Sequence, residues 1–115
     1  MLVITATGFL IMGLVGLFAP QRITALVDVP QLPSAARNEA RAVYGGFGVV
    51  TGGVLLATAQ QPALHAGVVL AVSVALLGMA AGRCFSWCIE RRIDRLPLLF
   101  MAGELLLGGG LLLTL

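Results

Sequence analysis

The sequence predicts an all-α integral membrane protein, a four-helix bundle of four transmembrane spans, and three observations carry that prediction. Four stretches, Leu2–Ala19, Ala42–Ala59, Ala63–Gly82 and Leu96–Leu115, run eighteen to twenty residues each with no charged side chain except Glu104. A hydrocarbon core of roughly 30 Å is crossed by about 20 helical residues, so each stretch has the length of a span. Of the 115 residues 59% are hydrophobic and only 10% charged, with a mean hydropathy of +1.04. A soluble domain carries roughly 25% charged residues, and a soluble core of this size has no room for the excess apolar mass. Finally, all seven cations are arginine (Arg22, Arg37, Arg41, Arg83, Arg91, Arg92 and Arg95) and all lie in or beside the first and third connections.

Span one covers about 2–19. It lacks the positive leading segment and the small-x-small cleavage site of a secretory signal, so it reads as retained. It ends at Phe18-Ala19-Pro20, where proline blocks continuation of the helix. The connection Gln21–Ala36 is the longest, and Arg22–Val27 within it has the pattern of a short interfacial helix, stopped by Pro30 and Pro33. Ser34 is the expected N-cap of the next helix. Span two covers about 37–59, with Arg37, Glu39 and Arg41 on first turns that stand at the membrane interface. Span three, about 63–89, follows the uncharged connection near Gln60–Pro62, and span four covers about 96–114. Nothing between the spans is long enough to fold separately, so one domain covering 1–115 is expected.

The arginine asymmetry sets the topology. Under the positive-inside rule the first and third connections face the cytoplasm and both termini lie on the opposite side. The net charge of +2 is too small to argue for nucleic acid as a partner; the lipid bilayer is the partner the composition implies.

The run Arg37-Asn38-Glu39-Ala40-Arg41-Ala42-Val43-Tyr44-Gly45-Gly46, the glycine-rich span after it, Gly82-Arg83-x-x-Ser86, Asp94-x-x-Pro97 and Glu104 together resemble the family catalogued as domain of unknown function 4345, small bacterial membrane proteins predicted to have four spans. The resemblance covers nearly the whole chain and implies an architecture, a bacterial inner-membrane location and the positions of polar residues, with no activity attached. One departure is visible. Members often carry Asp-Gly-x-Pro in the third connection, where this chain has Asp94-Arg95-Leu96-Pro97, which implies a different turn.

Glu104 is the residue that most needs explaining, because an ionisable group at membrane depth is costly unless it is paired. Entering near Leu96, it lies about 12 Å in at the helical rise; Arg83, counted back from Glu90, lies at about 10 Å. Tyr44 falls in the same half of span two, one turn beyond Arg41. Glu104, Arg83 and Tyr44 are therefore expected in one layer, with Arg41 and Glu39 near its rim. An arginine with more donors than one carboxylate accepts suits such a layer. The arrangement reads as helix packing and register on the one hand, and as a ligand or ion site on the other.

Gly48 and Gly52 on span two and Gly78 and Gly82 on span three form GxxxG pairs, which let helix backbones approach closely, either within the chain or in a homo-oligomer. Cys84 and Cys88, four apart on one helix, read as small packing residues. His65, the only histidine, lies about 28 Å along the axis from Cys84, so no zinc site forms among them. Trp87 reads as an interfacial anchor. No metal, cofactor or catalytic set is expected: a phosphate loop with lysine, a zinc-protease motif and a nucleophile elbow are all missing.

These observations favour a membrane binding or accessory module for a lipid or small amphiphile, and not an enzyme. The alternative is a small proton-coupled carrier that uses Glu104. A lipid-modifying enzyme, using Glu104 with Arg83 and Tyr44, is the weaker third.

Overall fold

The structure, a computed structural model, describes every residue from Met1 to Leu115, and it is all helical. Helix α1 spans Leu2–Phe18, α2 Pro20–Ala25, α3 Ser34–Ala40, α4 Phe47–Ala57, α5 Pro62–Glu90 and α6 Arg95–Leu112. Between α3 and α4, Arg41–Gly46 forms a π turn, and Thr58–Gln60 closes α4 with a 3₁₀ turn. Ser34–Gln60 is thus one continuous helical run of 27 residues.

Three helices are long and apolar enough to cross a membrane: Ser34–Gln60, Pro62–Glu90 and Arg95–Leu112. The first of the four expected spans is different. Helix α1 is apolar but has 17 residues, the lower end of the roughly 17–25 that a span takes. It stops because Ala19 leaves helical geometry (φ −142°, ψ 63°) and Pro20 starts α2 at its first position, where a missing N–H costs nothing. The short helix expected after span one is α2; Asp28, at φ 68°, turns the chain away beyond it.

Ser34 does not act as the N-cap. The helix already includes it, the cap position is Pro33 without a side-chain hydrogen bond, and the Arg37 amide donates to the Pro33 carbonyl at 2.9 Å. The Arg37 guanidinium secures the entry instead, donating from Nη1 to the Leu32 carbonyl at 2.7 Å.

The chain packs as two compact units, Leu2–Gln60 and Met1 with Gln61–Leu115. In the first, α1 lies antiparallel to the π turn and α4 along a seam of small residues. Ala6, Gly13 and Gly16 are buried on one side, and Gly45, Gly48 and Gly52 on the other. Backbones touch there: a Cβ on Gly48 would stand 2.8 Å from both the Gly13 Cα and the Phe9 carbonyl oxygen, and one on Gly16 would stand 2.7 Å from the Gly45 nitrogen. Phe9 meets Phe47 edge-on, ring centroids 6.2 Å apart.

The π turn has a packing reason. Buried positions along this run fall at Ala40, Gly45, Gly48, Gly52 and Leu55, steps of five, three, four and three. An α-helical step back from Gly45 would put Arg41 or Ala42 on the seam. The five-residue step puts Ala40 there and swings Arg41 aside, where its Nε donates to the Leu17 carbonyl at 3.0 Å and satisfies one of the exposed carbonyls at the end of α1.

In the second unit α5 packs on α6 through Val69, Ser73, Leu76 and Ala80 against Glu104, Gly108 and Leu111. This seam uses larger side chains. A Cβ on Gly108 would meet the Leu76 Cβ at 3.0 Å and the Ser73 carbonyl at 3.1 Å, whereas one on Gly78 or Gly82 would meet nothing within 4 Å. The expected glycine face of span three is therefore not the face that packs on α6. The physical reason is angular: Gly78 and Gly82 sit two residues beyond Leu76 and Ala80, about 200° around the axis from the seam.

Candidate functional site

Arg83 extends the packing seam of α5 three residues beyond Ala80, and Glu104 heads the seam of α6, so helical periodicity alone brings them face to face. The contact is a fork. Arg83 Nε donates to both Glu104 oxygens at 2.9 and 3.0 Å, and Nη2 donates to Oε1 at 2.8 Å. The guanidinium face stacks on Phe100, 5.3 Å from the ring centroid. Phe100 lies one turn before Glu104 on α6, so carboxylate and ring clamp the same group from one helix.

The two partners differ in access. The Glu104 side chain is 9% exposed and that of Arg83 is 28% exposed. A guanidinium has five N–H donors, and Glu104 engages only Nε and one side of Nη2. Both Nη1 hydrogens and one Nη2 hydrogen have no acceptor in the chain. They belong to a side chain that lines an open groove of about 720 Å³, together with Met79, Gly82, Ser86, Trp87, Glu90, Arg92, Ile93, Asp94 and Pro97. That size lies within the range of small-molecule sites, roughly 300–1,000 Å³.

The rim of this groove is the turn between α5 and α6. Arg91, in left-handed conformation at φ 55°, ends α5. Asp94 occupies the N-cap position of α6 without capping it, because its Oδ1 accepts from Arg92 Nη2 at 2.6 Å. That hydrogen bond, reinforced by the charge of Asp94, raises the Arg92 pKa above its ordinary value; desolvation opposes it, and the Glu90 charge adds the least. An exposed salt bridge from Arg92 to Asp94 thus spans the residues that lead into α6.

The remaining polar candidates, Glu39, Arg41 and Tyr44, lie in the other unit. Glu39 and Tyr44 line a smaller groove of about 280 Å³ with Thr24, Ala36, Ala40 and Val43. Arg41 is occupied by the α1 carbonyl described above, so its role is to cap a helix. Gly48 and Gly52 stand in the α1–α4 seam. Cys84 and Cys88 are exposed free thiols, and no cluster of three or more His, Cys, Asp or Glu side chains is placed to hold a metal ion. Phe100 is the contact that sequence reasoning missed. Its signal was the four-residue spacing to Glu104, which puts both on one face of a helix.

Fold and site together define a class: an all-helical protein with helices suited to a membrane, and a forked ion pair buried between two of them. The chain belongs to the family described as Domain of unknown function (DUF4345), whose model matches residues 1–115. No curated protein and no solved structure matches the chain.

Proposed function

We propose that the protein is a four-span protein of the bacterial inner membrane, with both termini periplasmic, that binds a lipid or small amphiphile in the groove between α5 and α6. Helix α1 supplies the fourth span in this reading. It lies along a run long enough to cross the bilayer, with backbone contact from Ala6 to Gly16, and a slightly short span is accommodated by local thinning of the bilayer. The seven arginines flank the first and third connections, which orients those connections to the cytoplasm.

The observation that carries the binding reading is the half-used guanidinium of Arg83. A pair serving only to register two helices would be expected to saturate its donors, since unmet polar groups at membrane depth are costly. Glu104 instead fixes the orientation of Arg83 and leaves its outer donors facing a groove. A ligand with an oxygen-rich head and an apolar body satisfies both the donors and the apolar wall.

Native mass spectrometry of the full chain purified in mild detergent tests this. A lipid-mass adduct is expected on the wild type, and it should vanish in Ser86→Trp, which fills the groove from an exposed position. An adduct that persists in Ser86→Trp, or none on the wild type, refutes the reading.

A further inference from the structure

We propose that the α5–α6 groove selects a zwitterionic glycerophospholipid headgroup, a phosphate joined to a primary ammonium, over anionic and quaternary-ammonium headgroups. The inference rests on the lipid-binding reading above and names the chemistry that the groove prefers.

Charge balance is the first argument. The groove wall carries two guanidinium groups, Arg83 and Arg92, and two carboxylates, Glu90 and Asp94, with Glu104 behind Arg83. A net-anionic headgroup would enter a site that is already neutral at its wall and negative behind it. A net-neutral headgroup with separated charges meets no such opposition. Pairing then shows which wall groups are open. Arg92 and Asp94 engage one another at 2.6 Å, and Arg83 is engaged on one edge by Glu104. No hydrogen bond engages the outer donors of Arg83 or the carboxylate of Glu90, while the Arg92–Asp94 pair, joined by one hydrogen bond, offsets its own charge. Beside that self-offset pair the groove offers a cationic contact at Arg83 and an anionic one at Glu90.

The order of these groups along α5 is the second argument. From the apolar interior toward the arginine-rich end the wall reads Met79, Gly82, Arg83, Ser86, Trp87 and Glu90: apolar surface, open space, donors, hydroxyl, aromatic ring, carboxylate. A glycerophospholipid of this class presents acyl chain, phosphate and ammonium in the same order from bilayer to water. Gly82 leaves the space beside it empty, with nothing within 4 Å of where a Cβ would stand. Arg83 and Glu90 are two turns apart on one face, about 10 Å along the axis, a span that a phosphate, two methylenes and an ammonium bridge with one hydrogen bond at each end. The phosphate accepts from Arg83 Nη1 and from the Ser86 hydroxyl. The ammonium donates to Glu90 and lies by the Trp87 indole, whose face attracts cations. A primary ammonium has hydrogens for Glu90 that a quaternary one lacks, which separates the two zwitterionic classes.

Trp87 is the chain's only tryptophan and reports occupancy directly. The full-length protein in neutral detergent is titrated with phosphatidylethanolamine, phosphatidylcholine or phosphatidylglycerol bearing identical brominated acyl chains, and quenching of Trp87 emission is followed. Half-maximal quenching by phosphatidylethanolamine is expected at a concentration at least five-fold lower than by the other two. Glu90→Gln, a same-sized change at an exposed position, should abolish the difference from phosphatidylcholine while quenching remains saturable. Equal quenching by all three lipids, or tighter binding of phosphatidylglycerol, overturns the headgroup assignment and leaves lipid binding standing. Absence of saturable quenching by any of them overturns the proposed function as well.

Discussion

Adding one methyl group to the α1–α4 seam should separate helices that no side-chain adjustment can keep together. At Gly48 a Cβ would lie 2.8 Å from the Gly13 Cα, 2.8 Å from the Phe9 carbonyl oxygen and 2.9 Å from the Gly13 nitrogen. All three are backbone atoms. Real contacts of this kind sit near 3.5–4.0 Å, so Gly48→Ala requires the helices to move apart by several tenths of an ångström or more, loosening the Gly45 and Gly52 contacts on either side. Overpacking of this type costs about 1–3 kcal/mol. The control is Gly53→Ala, on the same helix, where a Cβ meets nothing within 4 Å; relieving a mid-helix glycine there should leave stability unchanged or raise it by up to about 1 kcal/mol. Gly78→Ala, equally open, should behave like Gly53→Ala. Thermal or SDS-induced unfolding in a defined detergent, followed by circular dichroism, gives the ranking. If Gly48→Ala matches the wild type, or if Gly53→Ala falls as far as Gly48→Ala, close backbone approach is not what holds α1 to α4.

Two further outcomes are expected. Arg83→Leu or Glu104→Leu alone leaves a charge without its partner and should cost about 3–5 kcal/mol, with the double substitution recovering part of that loss; strictly additive losses in the same unfolding assay would show that the forked pair is energetically uncoupled. Reporter fusions should read periplasmic at Leu115 and cytoplasmic between Arg91 and Arg95, and a cytoplasmic reading at Leu115 would reverse the proposed orientation.

The helices were legible because length and hydropathy are summed over many residues, and local deviations average out. The bounds of α5 and α6 lie close to the expected 63–89 and 96–114. Arg83 and Glu104 were legible as partners because depth follows from counting at a fixed rise, and each stood alone as the charged residue within its apolar surroundings. What could not be read was azimuth. GxxxG spacing identifies a narrow helix face without saying whether a neighbour occupies it: Gly48 and Gly52 touch α1, while a Cβ on Gly78 or Gly82 would meet nothing within 4 Å. Counting at 3.6 residues per turn puts Arg41 near the rim of the polar layer. The π turn breaks that assumption where Arg41 sits, and the side chain went to a helix end. Ser34 was misplaced by one position, since cap chemistry was read from residue type and the entry is held by Arg37.

The five-residue step at Arg41–Gly46 makes this segment more tolerant of losing one residue than an ordinary helix is. Each residue of an α-helix turns the chain by about 100°, so removing one residue there and relaxing to an ordinary helix would leave Ala40 four positions before Gly45, still on the seam. Winding the full-length segment as an ordinary helix would do the opposite: Ala40 would leave the seam, Arg41 would be driven toward it, and Glu39 would be carried off the wall it shares with Tyr44. Substitutions alter what that wall is made of; the winding of the segment sets which way it faces. The extra residue is therefore carried by the π turn, while Gly45, where a Cβ would stand 2.8 Å from the Leu17 side chain and 2.9 Å from its nitrogen, keeps the close approach to α1.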